Sequence, residues 1–340
     1  MIDISRATTN IQYILLQIFR HFGVWGNSVF FICSAWFLLK SKNWNKKKWL
    51  FMVIEIWVVS IVIFIITYII LHGNISIGII ISSLFPTTFG NNWYMTCYLL
   101  FYPIHPILNS IVNMMNQRQL FRSTLVMVFL YIFMNFINCS WFFSSAIILW
   151  ITIYFAIAYM QKYLMSFVDN IRKNIILFII GVIGFIGIIL ITDICGLYSQ
   201  VLSDKVMRWV NNCNPFLLAM SIAMFNIARN IHFKNRFINY ISKLSLLIYI
   251  IHENIILRTY FRPAMWNYVY KRFGYSDVIG WVFIIAFIIF IFGILCSILY
   301  VLTLQKFVNK VSGKLYEVVR IKYLLFEKFC LMIREKKDNR

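Results

Sequence analysis

The segment LIYIIHENIILR, residues 247–258, places a histidine next to a carboxylate inside a strongly apolar stretch. Tyr249, His252 and Glu253 are spaced i, i+3 and i+4, so they share a face if the segment is helical. Arg258 follows. A histidine beside a carboxylate can act as a general base whose tautomer and charge its partner holds. The alternative is a polar cluster that fixes helix packing without chemistry. Because the chain is so apolar elsewhere, we favour the functional interpretation.

The elements that position this cluster are nine long apolar runs. Each run has about the length that an α-helix needs to cross the hydrocarbon of a bilayer, and continuous apolar runs indicate helices rather than a barrel. A hydrophobic content of 61% with a mean hydropathy of +0.79 fits no soluble class. The sequence therefore predicts an all-α, polytopic transmembrane helix bundle of about nine spans. The runs lie near residues 24–40, 49–72, 93–113, 123–139, 142–160, 174–192, 214–229, 243–257 and 279–304.

The loops between the runs alternate between basic and nearly uncharged. Lys and Arg mark the cytoplasmic side of a membrane protein. Alternation assigns 24 of the 32 basic residues to inner loops and the tail, and 8 to the outer side. This distribution predicts an outer N-terminus, an inner C-terminus and a multi-pass protein of the cell membrane.

The net charge of +21 raises the question of a nucleic-acid partner. We exclude one, because the charge is spread over inner loops and a tail, where topology and anionic lipid account for it. We expect one membrane domain over residues 1–304 and a basic cytoplasmic tail over 305–340. Apolar residues at helical spacing between lysines predict that this tail is an amphipathic helix on the inner leaflet. The scattered cysteines have no spacing suited to zinc, so no metal is expected.

A second group of candidates comprises other polar or aromatic residues of the spans. Glu55 lies inside the second run, where it faces a polar cavity or is held by nearby lysines. Arg20, His21, Trp93 and Tyr94 fall in the outer half of the bilayer by the assigned topology, although Trp and Tyr also favour the interface without any function. Residues 11–22 are apolar but short, which predicts an interfacial helix rather than a span.

The FYPIHP segment, residues 101–106, carries two prolines, each of which removes a backbone donor. We expect the helix to break there. His105 is then a polar cavity residue or, as we favour, a histidine that satisfies a freed carbonyl.

Three segments together resemble the membrane-bound acyltransferase 3 family, in particular its bacterial branch that O-acetylates capsular or cell-wall polysaccharide. The nine runs match the order of the remaining scaffold. The resemblance therefore covers nearly the whole chain. The segments are GNSVFFICSAWFLLKSK (26–42), NNWYMTCYLLFYPIHPILN (91–109) and IYIIHENIILR (248–258).

The front of the chain departs from the family. The family has ten membrane spans. The first span carries an Arg or Lys and, eleven positions later, the histidine that is thought to act as the catalytic base. No Arg or Lys of this chain has a His at that spacing. We expect that the first family helix is missing, which agrees with an outer N-terminus.

The resemblance implies an acyltransferase that transfers groups other than aminoacyl groups, with acetyl-CoA as donor and a polysaccharide or lipid-linked glycan as acceptor. Because the first-helix histidine that has the base role in the family is missing, we expect substitutes to be catalytic: His252 with Glu253 and, as a weaker candidate, His21 with Arg20. Cations of the inner face are expected to bind the CoA phosphates: Lys46, Lys47, Lys48, Arg118 and Arg122. The expected substrate-binding residues are Arg258, Arg20, Trp93, Tyr94, Tyr249 and Glu55.

Two other functions stay open at this point. One is a membrane protein that transports or polymerises lipid-linked sugars, for which the short outer loops give little support. The other is a non-catalytic, N-terminally truncated remnant of the enzyme.

Overall fold

The computed structural model describes residues 10–138, 145–196, 209, 211–231 and 233–338, and within this part every regular element is a helix. In chain order the helices are α1 (Asn10–Leu38), α2 (Lys46–Ile70), α3 (Ile77–Leu84), α4 (Trp93–Met114), α5 (Gln117–Met127), α6 (Met134–Asn138), α7 (Ala146–Tyr163), α8 (Met165–Val168), α9 (Ile171–Gly196), α10 (Pro215–Asn230), α11 (Arg236–His252), α12 (Arg262–Phe273), α13 (Val278–Thr303) and α14 (Gln305–Asp338). Short π-helical turns, Val128–Phe133 and Leu257–Phe261, precede α6 and α12.

The predicted all-α polytopic architecture is confirmed. Six helices of the described residues are long and apolar enough to cross a membrane, and a bent pair around residue 253 makes up to seven. The helix α1 is one continuous element of 29 residues. The expectation of a separate interfacial helix over residues 11–22 is therefore wrong. No proline lies between residues 11 and 38 to interrupt the helix. Gly23 and Gly26 are accommodated inside it.

The expected break at the two prolines is also wrong, because α4 continues through Pro103 and Pro106. A proline leaves the carbonyl four residues earlier without its helical donor. The indole Nε1 of Trp49 donates to the Leu99 carbonyl at 2.8 Å, and Nδ1 of His105 bonds the Tyr102 carbonyl. These two carbonyls are the ones that Pro103 and Pro106 free, so the helix persists. The role we favoured for His105 is confirmed.

The chain forms two compact units. The first comprises residues 1–43, 100–235 and 263–285. Its core packs α1, α7, α9 and α10. Gly181 and Gly184 let α9 approach α10 so closely that a Cβ on either glycine would lie within 3 Å of Phe216 or Met220. Small residues at such contacts are typical of membrane helix pairs.

A buried hydrogen-bond network stabilises one end of α1 in this unit. The amide of Asn109 donates to the carbonyls of Leu38 and Ser41, at 3.0 and 2.7 Å. The hydroxyl of Tyr154 donates to Asn109 Oδ1 at 2.6 Å. The carbonyls at the end of a helix have no partner within it, so Asn109 supplies a donor where α1 needs one.

The second unit comprises residues 44–99, 236–262 and 286–340. In it α2 packs against α3, α11 and α14. The hydroxyl of Ser60 and the indole of Trp57 donate to the carbonyls of Ser83 and Leu84, which fixes α3 against α2. Gly293 lets α13 approach Ile248 of α11. This unit carries the polar cluster around residue 252.

Candidate active site

The candidate site lies where α11 ends. His252 is the last helical residue, Glu253 and Asn254 form a break, and the helical pair on either side of it bends by 68°. The side chain of Asn254 accepts the backbone N–H of Ile256 at 3.0 Å, which starts the next helical turn. Its amide also lies 3.5 Å from the hydroxyl of Ser60 on α2. A polar residue at this position therefore both terminates one helix and anchors the break.

Glu253 directly follows the last residue of α11, and its backbone N–H still donates to the Tyr249 carbonyl at 3.0 Å, as it would in a helix. The three side chains of Tyr249, His252 and Glu253 are close together. The rings of Tyr249 and His252 meet edge to face at 5.7 Å, and His252 Nε2 lies 3.6 Å from Glu253 Oε1.

The tautomer of His252 follows from its backbone contact. Its Nδ1 lies 2.8 Å from the carbonyl oxygen of Ile248, one turn earlier. A carbonyl only accepts, so Nδ1 carries the proton and, in the neutral ring, Nε2 keeps its lone pair. The 3.6 Å between Nε2 and the carboxylate is too long for a hydrogen bond. Nε2 is therefore the basic atom of this residue, with a negative charge nearby to stabilise the imidazolium.

Two arginines hold Glu253. Nη2 of Arg262 donates to Glu253 Oε1 at 2.8 Å and also to the backbone carbonyl of His252. Nη1 of Arg258 lies 3.7 Å from Glu253 Oε2. Arg262 thus both caps the end of α11 and orients the Glu253 carboxylate. Arg258 makes only a loose ion pair with Glu253, and its side chain is 39% exposed. One carboxylate between two guanidinium groups leaves the cluster net positive.

An aromatic row leads to the imidazole. The ring of Trp93 lies 5.9 Å from that of Tyr94, and Tyr94 lies 5.5 Å from Tyr249. Asn92 precedes the row and is buried, and its side-chain oxygen has no hydrogen-bond partner among the described residues. The structure therefore brings together five expected site residues, Trp93, Tyr94, Tyr249, His252 and Glu253, with Arg258 beside them.

Glu55 belongs to the same unit but to a different contact. It is buried in α2, and its carboxyl group faces the hydroxyl of Tyr300 on α13. No ion pair joins Glu55 to a lysine in the described part of the chain, so the expected lysine partner is not found. The structure groups Glu55 with Tyr300 rather than with His252.

Arg20 and His21 lie on α1 in the first unit. Arg20 is exposed, whereas His21 is only 5% exposed and its Nε2 has no hydrogen-bond partner among the described residues. Neither makes an ion pair with a carboxylate there. A buried imidazole without a carboxylate partner fits a base role less well than His252 does.

The expected phosphate-binding cations fall on two helices. Lys46, Lys47 and Lys48 are exposed in the first turn of α2, where Asn45 caps the helix by accepting the backbone N–H of Lys48. Arg118 and Arg122 are exposed on α5 in the first unit. A helix N-terminus with three lysines attracts anions through both its free N–H groups and its charge.

Arg262 was not among the residues expected from the sequence. Its signal is the spacing to Arg258, since i and i+4 place two arginines on one helix face. Asn92 and Asn254 were also missed. Single asparagines carry little sequence signal, because they are common at caps and turns. No group of three His, Cys, Asp or Glu residues in the described ranges could hold a metal ion.

Comparison with known families decides the class of protein. The model of a family described as an acyltransferase domain matches residues 3–303. The chain belongs to this acyltransferase family. No curated protein and no solved structure matched the chain significantly. With its apolar helices, this acyltransferase is a multi-pass membrane protein. The match spans both units and includes the whole cluster around His252.

Proposed function

We propose that this acyltransferase O-acetylates a cell-surface or capsular polysaccharide, with acetyl-CoA as donor and His252 as general base. The observation that carries the proposal is the protonation pattern of His252. Its Nδ1 is committed to the Ile248 carbonyl, which leaves Nε2 free to accept a proton beside a carboxylate. Acyl transfer to a hydroxyl needs such a base.

In the proposed transfer, the imidazole of His252 acts first as a base and then as an acid. His252 Nε2 takes the proton of the acceptor hydroxyl, and the alkoxide oxygen attacks the carbonyl carbon of the acetyl thioester. The carbon–sulfur bond breaks, and the imidazolium returns its proton to the departing thiolate. Glu253 stabilises the intervening positive charge on His252 from 3.6 Å. Because Arg262 orients this carboxylate, it is a positioning residue.

Two positive groups support the substrates. The guanidinium of Arg258 is partly exposed and only loosely paired, so most of its donors are available to hydrogen-bond the acceptor or the developing oxyanion. The first turn of α2, with Lys46, Lys47 and Lys48, suits the phosphates of CoA. In the aromatic row, the half-buried rings of Trp93 and Tyr249 are the ones that a sugar could contact, because Tyr94 between them is buried.

The test is an acetyl-transfer assay in membranes that contain the chain, with acetyl-labelled acetyl-CoA and the host polysaccharide. His252→Gln should abolish O-acetylation while leaving membrane insertion unchanged, because glutamine keeps polarity but cannot accept and return a proton. The matched control is His72→Gln, since His72 is an exposed histidine at the end of α2. Normal acetylation by His252→Gln would assign His252 to helix packing and disprove the proposed role.

A further inference from the structure

Helix α14 has three kinds of surface. Val308 and Ser312, one turn apart, are buried, and the helix packs against α2. Beside this buried strip lies an exposed apolar edge, where Phe307, Leu315 and Val318 are 57%, 42% and 49% exposed. At about 100° per residue, these three positions fall within a sector of about 80°. Between Phe307 and Val318 the edge is therefore one stripe, whereas the exposed Val319 and Ile321 that follow lie outside this sector.

A basic stripe follows the apolar edge on the side away from the buried strip. Lys306, Lys310 and Lys314 are spaced i, i+4 and i+8 and are all exposed. They make no ion pair with any carboxylate in the described part of the chain. A helix with an apolar stripe bordered by unpaired lysines has the surface of an interfacial helix.

The start of α14 lies near other positive charges. Tyr300, near the end of α13, faces Glu55 in the first half of α2, and α14 then packs on α2. The first turn of α2 carries the exposed Lys46, Lys47 and Lys48. The start of α14 therefore follows a residue that faces the half of α2 that carries these three lysines.

We propose that α14 is a lipid-binding helix that lies on the leaflet at this end, with its apolar edge in the acyl boundary and its lysines on anionic headgroups. An anionic lipid surface matches both stripes, because the apolar edge gains burial and the lysines gain opposite charge. The inference is independent of the chemistry at His252.

A second copy of the chain is the other occupant to consider. Val308, Val311, Leu315 and Val318 are spaced by three and four residues, as in a helix pair. However, Val308 already lies in the buried strip, so the seam is not free along its length. The lysines would also face each other across a parallel pair. Lipid is therefore the better occupant.

The experiment places single nitroxide labels on the full chain, in a cysteine-free background, in nanodiscs with and without anionic lipid. Labels at positions 307, 315 and 318 should be accessible to oxygen and protected from a water-soluble nickel reagent. Labels at 306, 310 and 314 should show the reverse. The triple variant K306E/K310E/K314E should remove the protection at the apolar positions, and so should omission of anionic lipid.

Two results would overturn the inference. One is nickel accessibility at positions 307, 315 and 318 in anionic nanodiscs, which would show that the edge faces water. The other is strong spin–spin broadening at position 315 that persists without anionic lipid, which would show pairing of two copies. Lys322 lies on the apolar side of the helix, outside the basic stripe, and provides a control that matches a single substitution: K322E should change the protection less than K310E does.

Discussion

Nη2 of Arg262 lies 2.8 Å from Oε1 of Glu253 and also donates to the backbone carbonyl of His252. One guanidinium therefore ties the end of α11 to the carboxylate beside the imidazole. The contact crosses the break, since Arg262 begins α12 and Glu253 follows α11. The geometry of the candidate base thus depends on a residue ten positions later in the chain.

Replacing Arg262 by methionine should destabilise the second unit and lower acetyl transfer. The change leaves a partly buried carboxylate and a helix-end carbonyl without their donor, which costs about 1–2 kcal/mol once solvent screening is allowed for. Thermal unfolding in nanodiscs measures the loss. Arg236→Met, at the exposed first residue of α11, is the matched control and should have little effect. Equal unfolding temperatures for the two variants would contradict a role of Arg262 at the break.

One variant of Glu253 separates the effect of this carboxylate on the rate from its effect on stability. Glu253→Gln keeps one acceptor for Arg262 but removes the charge beside His252. We expect it to lower the rate of acetyl transfer more than it lowers stability, and to shift the pH profile of the rate, because Glu253 stabilises the protonated imidazole. An unchanged pH profile in the Glu253→Gln enzyme would show that the carboxylate has only a structural role.

The close approach of α9 and α10 predicts sharply different effects for two glycines of one helix. A Cβ at Gly181 would lie 2.8 Å from the Met220 backbone nitrogen and 2.9 Å from the Phe216 carbonyl oxygen, whereas one at Gly187 meets nothing within 4 Å. Gly181→Ala should destabilise the first unit by about 1–3 kcal/mol through overpacking. Gly187→Ala should be neutral or slightly stabilising, since alanine favours helix. Comparable melting temperatures for both would show that the helices separate easily.

The buried network of Asn109 predicts a graded loss of stability. Tyr154→Phe removes one hydrogen bond, whereas Asn109→Ala leaves two backbone carbonyls and the Tyr154 hydroxyl without this partner. Unfolding in detergent should therefore show a small loss for Tyr154→Phe, about 0.6 kcal/mol as found for hydrogen bonds in membrane proteins. Asn109→Ala should cost more, about 1–3 kcal/mol. The reverse order would show that the phenol, not the amide, holds the end of α1.

The distribution of basic residues predicts the orientation in the membrane. In a cysteine-free background, a cysteine at position 78 should be labelled from outside by an impermeant reagent. A cysteine at position 47 should be labelled only after permeabilisation. Both sites suit the test, because Lys47 is exposed and a Cβ at Gly78 meets nothing within 4 Å. Labelling of position 47 in intact cells would contradict the predicted orientation and indicate the opposite one.

The prolines of α4 show where sequence reasoning is limited by contacts between elements. The pattern correctly indicated freed carbonyls, and His105 satisfies one of them from one turn away. The other is satisfied by Trp49, 50 residues earlier in the chain. Without that donor a break was the reasonable expectation, because a carbonyl cannot remain unpaired in an apolar environment. A continuous helix therefore required a contact that no local pattern reveals.

The sequence by itself determined the helical bundle, most helix positions and the candidate histidine. Helices in lipid form their backbone hydrogen bonds within one segment, so an apolar run of sufficient length identifies each helix from local sequence. An ionisable pair inside such a run is energetically costly, so its presence indicates a function. Only the tertiary structure decided that α11 stops at His252 and that Arg262 holds Glu253. These features depend on where a bend directs side chains of the following helix, and charge–charge distances after a bend are not encoded in helical spacing.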